Sequence, residues 1–156
     1  MNRLLILYTK DNTSTGVDAQ GRTYRYDKPA RQLIAERCLA SACTIKGRQD
    51  AAIVLFGWQR KIPVLISETS REIWFPLAGS MARENIWLAY DTVFSFHRLS
   101  DYETRIVFVN GGEAVVPYNV RTVRMQMRRC EEMTAWLNRE KEDDAVPDMR
   151  GILPEI

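Results

Sequence analysis

The chain has 156 residues, 46% hydrophobic and 27% charged, with only eight Gly and six Pro. These figures exclude a disordered, collagen-like or low-complexity chain, and a length near 150 is most economically one domain with a core of its own. The formal net charge is +2, which by itself indicates no partner.

Leu4–Thr9 is apolar and predicts a buried first strand. Asp11–Gly21, rich in Thr, Ser, Asp and Gly, predicts a loop, and the alternating Arg22–Tyr26 a half-exposed strand. Asp27 and Pro29 are helix start signals, and Ile34, Cys38, Ala42 and Ile45 give that helix a buried stripe. A break at Lys46–Gly47 precedes a short segment with Ala51, Ala52, Leu55 and Phe56 on one face, capped by Gly57. From Lys61 the period becomes two. Ile62–Ser67 and Glu72–Phe75 predict a hairpin through Glu68–Arg71, with a loop over Pro76–Glu84. Ile86–Tyr90 and Val93–Leu99 predict one strand with a bend or bulge. Thr104–Val109 and Glu113–Val116 flank Asn110–Gly111–Gly112, a strong hairpin signal because Asn-Gly tolerates the positive φ of tight turns. A helix follows from about Asn119 to Glu140, with Val123, Met127, Cys130, Thr134 and Leu137 inward. The expected class is α+β: a mostly antiparallel sheet of about five or six strands, two helices in the N-terminal half and a long C-terminal helix.

The longest apolar run, Ala51–Trp58, falls far short of the ~20 residues that cross a bilayer, so no membrane partner is expected. Leu4–Tyr8 is too brief for a signal-peptide core, and an odd three cysteines favour reduced thiols in a cytoplasm. The net charge is an average over two parts. Lys141–Ile156 holds five acids and two bases, a net of −3 that leaves the body at +5. The predicted organisation is therefore one domain over residues 1–140 and an acidic tail over 141–156. Of the 22 basic residues 17 are Arg, whose rigid fork suits phosphates and narrow grooves.

Catalytic signals are absent. The one histidine, His97, lies in a predicted strand beside Arg98, and no Gly-rich phosphate loop, nucleophile elbow or HExxH occurs. The expectation is no enzyme, with no catalytic residues and no cofactor. Cys38, Cys43, Cys130 and His97 lack the tight pairing of a structural zinc set, so no metal is expected. Trp58, Trp74, Trp87 and Trp136 fit packing better than base stacking. The basic set carries more. Lys46 and Arg48 stand at a helix start, Arg60 and Lys61 before a strand, and Arg121, Arg124, Arg128 and Arg129 along the last helix. The acids Glu131 and Glu132 come later, so positive charge gathers at the helix's own positive end, which the macrodipole disfavours. A local rule broken at a cost marks a candidate anion site, of which phosphate backbone is one kind.

An ordered series of motifs then stands out: Gly47-Arg48, Lys61-Ile62-Pro63-Val64-Leu65-Ile66, Ile73-Trp74-Phe75-Pro76, Trp87 opening a long strand, Phe108-Val109-Asn110-Gly111, Val116-Pro117-Tyr118-Asn119 and the Arg/Gln-rich helix. From about Ile34 to Leu137 this resembles the ComK family of bacterial competence transcription factors. The last stretch also has the outline of a LytTR-type DNA-binding domain. The resemblance implies a sequence-specific regulator of DNA-uptake genes. It would act as a homodimer or tetramer on A·T-rich double-stranded DNA through the minor groove. It further implies a cytoplasmic, nucleoid-associated protein and control by a Clp-protease adaptor. Arginine fits physically, because A·T tracts narrow the minor groove and deepen its negative potential. Relative to full-length members the chain is shortened at both ends. Charge and position select Arg48, Arg60, Lys61, Arg121, Arg124, Arg128 and Arg129 as DNA-contacting residues, with Asn110 at the hairpin tip for groove entry. The alternative is a shortened paralogue, a protein-interaction module that pairs with or antagonises a full-length factor.

Overall fold

The computed structural model describes residues 3–143; the tail expected over 141–156 falls outside it from residue 144 onward. Nine strands and three helices follow in chain order among the described residues: β1 (Leu4–Lys10), β2 (Thr13–Asp18), β3 (Thr23–Tyr26), α1 (Ala30–Ala40), α2 (Ile45–Phe56), β4 (Val64–Ser67), β5 (Glu72–Pro76), β6 (Glu84–Ala89), β7 (Val93–Arg98), β8 (Thr104–Phe108), β9 (Glu113–Val116) and α3 (Val120–Asp143). Six strands form one antiparallel sheet in the order β3-β2-β1-β6-β5-β4, and β7-β8-β9 form a second. The α+β class holds.

The large sheet is buried on both faces, which is why its central strands are almost uniformly apolar. Side chains alternate across the pleat. Leu7, Val64, Ile66, Trp74, Trp87 and Ala89 meet Ala30, Ile34 and Cys38 of α1 on one side. Ile6, Leu65, Ile73, Phe75, Ile86 and Leu88 meet Ile106, Phe108 and Val116 of the small sheet, and Val123, Cys130, Met133 and Leu137 of α3, on the other. Ile45 of α2 joins the first cluster and Ala52 the second, so α2 lies beside the β4 edge and shields it.

Four sequence expectations are corrected. Asp11–Gly21 is not all loop: Thr13–Asp18 is a strand between β1 and β3. Its polar residues face inward because they are satisfied there. Asp18, fully buried, accepts the N–H groups of Gln20 and Arg22 at 2.9 Å and the Tyr24 hydroxyl at 2.8 Å. Gly16 lets Leu4, Leu7 and Tyr26 close in, since a Cβ there would stand 3.0 Å from Leu4. The helix break falls at Ser41–Thr44 rather than Lys46–Gly47. Ala42 sits at φ 61° outside α1, and the Thr44 hydroxyl caps α2 by accepting the Gly47 N–H at 2.9 Å. Ile86–Tyr90 and Val93–Leu99 belong to different sheets, because a 3₁₀ turn at Tyr90–Thr92 redirects the chain; Thr92 Oγ1 donates to the Ala89 carbonyl at 2.7 Å to close it. On α3 the inward positions include Gln126 and Met133, with Met127 and Thr134 only half-buried.

One buried charge braces the first face. Glu72 accepts from Arg37 Nε at 2.5 Å and Nη2 at 2.9 Å, and from Trp74 Nε1 at 2.9 Å. Burial acts to raise this carboxyl, but the hydrogen bonds from Arg37 and Trp74 outweigh it and hold the group below its ordinary 4.5. A depressed folded value contributes stability that is full above the unfolded value and is lost as pH falls through the folded one. Denaturation midpoints measured downward from pH 7 are therefore expected to drop below pH 4.5 more steeply for the native chain than for Glu72→Gln. Parallel curves would remove Glu72 from the acid response.

Candidate nucleic-acid interface

The segment between α2 and β4 and the first three turns of α3 form a groove. Gly57, at φ 74°, ends α2, and Lys61, at φ 53°, turns the chain toward β4. The left-handed conformation suits Gly but is unusual for Lys, so something must hold Lys61 there. Gln126 does, from α3: its Nε2 donates to the carbonyls of Lys61 and Pro76, both at 2.6 Å. Arg129, one turn on, donates to the Arg60 carbonyl at 2.6 Å and the Lys61 carbonyl at 3.3 Å. Its guanidinium lies 5.3 Å from the Trp58 ring centroid, and Trp58 stacks on Phe56 with centroids 4.4 Å apart. Burial lowers the Arg129 pKa.

The groove has a volume near 580 Å³ and is lined by Gly57–Lys61 together with Asn119, Arg121, Thr122, Met125 and Arg129. No carboxylate is among these residues. A second concavity of about 630 Å³ shares Gln59, Arg60 and Lys61 with it and adds Arg31. The acids of that neighbour, Asp11 and Asp50, are paired with Arg83 at 2.9 Å and Lys46 at 2.7 Å. At the start of α3 the Asn119 side chain accepts the Thr122 N–H at 3.0 Å, and no acid occupies the first turn. Arg121, Arg124 and Arg128 are exposed on one face of the helix, and none forms a carboxylate pair among the described residues. The result is a row of guanidinium groups, without carboxylate partners among the described residues, running out of an acid-free groove. Such an arrangement attracts polyanions at a range set by the Debye length.

Four of the eight sequence-selected residues thus meet in the groove: Arg60, Lys61, Arg121 and Arg129. Arg124 and Arg128 extend the row. Arg48 stands apart, roughly 13 Å along α2 from its C-terminal end, paired with Glu68 at 3.2 Å and only 23% exposed. Asn110 shapes its own turn, accepting the Gly112 N–H at 2.9 Å, and donates to the Ala19 carbonyl at 2.5 Å, which docks the small sheet on the β2–β3 turn. His97 is exposed on β7 and shares a 2.9 Å hydrogen bond with Ser95. Sequence reasoning missed Gln59, Asn119 and Gln126. Among the described residues no His/Cys/Asp/Glu group is placed to hold a metal, and no helix is long and apolar enough to cross a membrane.

A family model described as ComK protein matches residues 4–142 of the chain. Comparisons with curated proteins and with solved structures found no match.

Proposed function

The chain belongs to the ComK family, a family of competence transcription factors and not of enzymes, and from that membership we propose that it binds A·T-rich promoter boxes through the minor groove to regulate DNA-uptake genes. The observation that carries this reading is the acid-free groove of Arg60, Lys61, Arg121 and Arg129, continued by Arg124 and Arg128. Arg121, Arg124 and Arg128 reach phosphates or a narrowed minor groove. Arg60 and Lys61 flank them from the opposite wall. Arg129 sets that wall with its own hydrogen bonds, which leaves its charge near the backbone of the duplex. Two such faces in a homodimer, or four in a tetramer, would read paired boxes, since protein symmetry maps onto half-site spacing. Residence at the nucleoid and control by a Clp-protease adaptor belong to the same reading.

The test is a titration of an A·T-box duplex at several salt concentrations, with a minor-groove ligand as competitor. Neutralising about five phosphates predicts a slope of log K against log salt near −4.5. Loss of binding to the competitor supports minor-groove entry, and indifference to it refutes that entry. No binding even at low salt removes the direct reading and favours the interaction module.

A further inference from the structure

Arg48 does not serve the groove, and its surroundings contain a second kind of chemistry. Where α1 ends, the chain folds back on itself. The Cys38 carbonyl accepts the N–H of Ser41 at 2.9 Å and of Cys43 at 3.0 Å. The Cys43 thiol turns the same way, donating to the Cys38 carbonyl at 3.3 Å and to the Ile66 carbonyl at 3.6 Å. Both cysteines therefore meet at one fold-back, and Arg48 follows in the first turn of α2. Arg48 Nε is buried without an acceptor. Cys38 is fully buried and Cys43 half-buried, whereas Cys130 is sealed in the other core.

We infer that Cys43 and Cys38 are a peroxide-responsive thiol pair, with Cys43 the thiol that is attacked and Cys38 the one that resolves it. A partly exposed cysteine folded back onto a second cysteine is the arrangement in which oxidation proceeds to a disulfide instead of to higher acids. Cys43 sulfur attacks the O–O bond of a hydroperoxide, giving the sulfenic acid and an alcohol or water. Cys38 sulfur then displaces that hydroxyl, forming the S–S bond and releasing water. The two sulfurs together lose two electrons, which the peroxide oxygens gain. Burial, then the neighbouring Cys43, pushes the Cys38 thiol up to about 12, so Cys38 does not begin the reaction. The fold-back bond between the two residues brings their backbones together, as disulfide geometry requires.

The experiment treats the full chain with a slight excess of hydrogen peroxide and counts thiols after denaturation. The count is expected to fall from three per chain to one, with a Cys38–Cys43 link in the peptide map and full recovery on adding dithiothreitol. Cys43→Ser, at a half-buried position, is expected to keep both remaining thiols under the same exposure. Three surviving thiols, a sulfinic acid at Cys43, a link between chains, or equal loss of Cys38 in Cys43→Ser would each overturn the assignment.

Discussion

Arg121→Ala combined with Arg124→Ala is expected to lower affinity for an A·T-rich duplex roughly a hundredfold at physiological salt, and to reduce the salt slope by about two. Both side chains are exposed and lack carboxylate partners among the described residues, so little folding energy depends on them. Their removal also relieves repulsion between like charges and the positive end of α3, so the melting temperature is expected to hold or rise slightly. That opposition of signs is the informative part. A purely structural role would lower stability together with binding, whereas a polyanion contact lowers binding alone. Arg48→Met supplies the comparison. It removes one positive charge outside the groove, and its Glu68 pair is exposed on the acid side, so the salt slope is expected to stay within a few tenths of the native value. Equal losses for Arg48→Met and the double variant would mean that net charge, not the groove, governs binding. An unchanged affinity in the double variant would remove the α3 row from the interface.

What could be read from the sequence depended on how local the signal was. The Asn110–Gly111 hairpin and the β4–β5 hairpin announce themselves within ten residues, and the α3 arginine row follows from a 3.6-residue period alone. β2 did not, because a fully buried Asp18 at the strand's end is reasonable only once the N–H groups of Gln20 and Arg22 and the Tyr24 hydroxyl converge on it. The split between β6 and β7 was hidden for a different reason. Tyr90–Thr92 contains neither Gly nor Pro, and its turn is closed by a threonine hydroxyl on a carbonyl. The site followed the same rule. Each basic cluster was visible separately, but the meeting of Arg60 and Lys61 with Arg121 joins segments about sixty positions apart and depends on the packing of α3 on the large sheet. Arg48 looked equivalent to the others because charge alone does not show that a guanidinium is occupied by Glu68.

Gln126 is where the two scales join, and Gln126→Leu is expected to destabilise the chain by about 2–3 kcal/mol. By its position Gln126 belongs to the inner stripe, three residues after Val123 and four before Cys130, yet a polar residue there contradicts the apolar pattern. The contradiction is resolved by two backbone carbonyls, those of Lys61 and Pro76, that accept its amide N–H groups. Leucine matches the volume of glutamine but removes the donor from both carbonyls and leaves Lys61 the longer bond from Arg129. In a chain of this length each kcal/mol corresponds to roughly 2–4 °C in melting temperature, so the loss is measurable by thermal denaturation. Gln126→Glu is expected to be worse than leucine at neutral pH, since it sets a carboxylate against two carbonyl oxygens. Duplex affinity is expected to fall in both variants well below their melting points, because Lys61 is no longer held at positive φ and the wall carrying Arg60 loosens. The salt slope should change little, as no phosphate contact is removed. A Gln126→Leu variant as stable as the native chain would show that the carbonyls find other donors. Native stability with reduced affinity would place Gln126 at the DNA instead of beneath it.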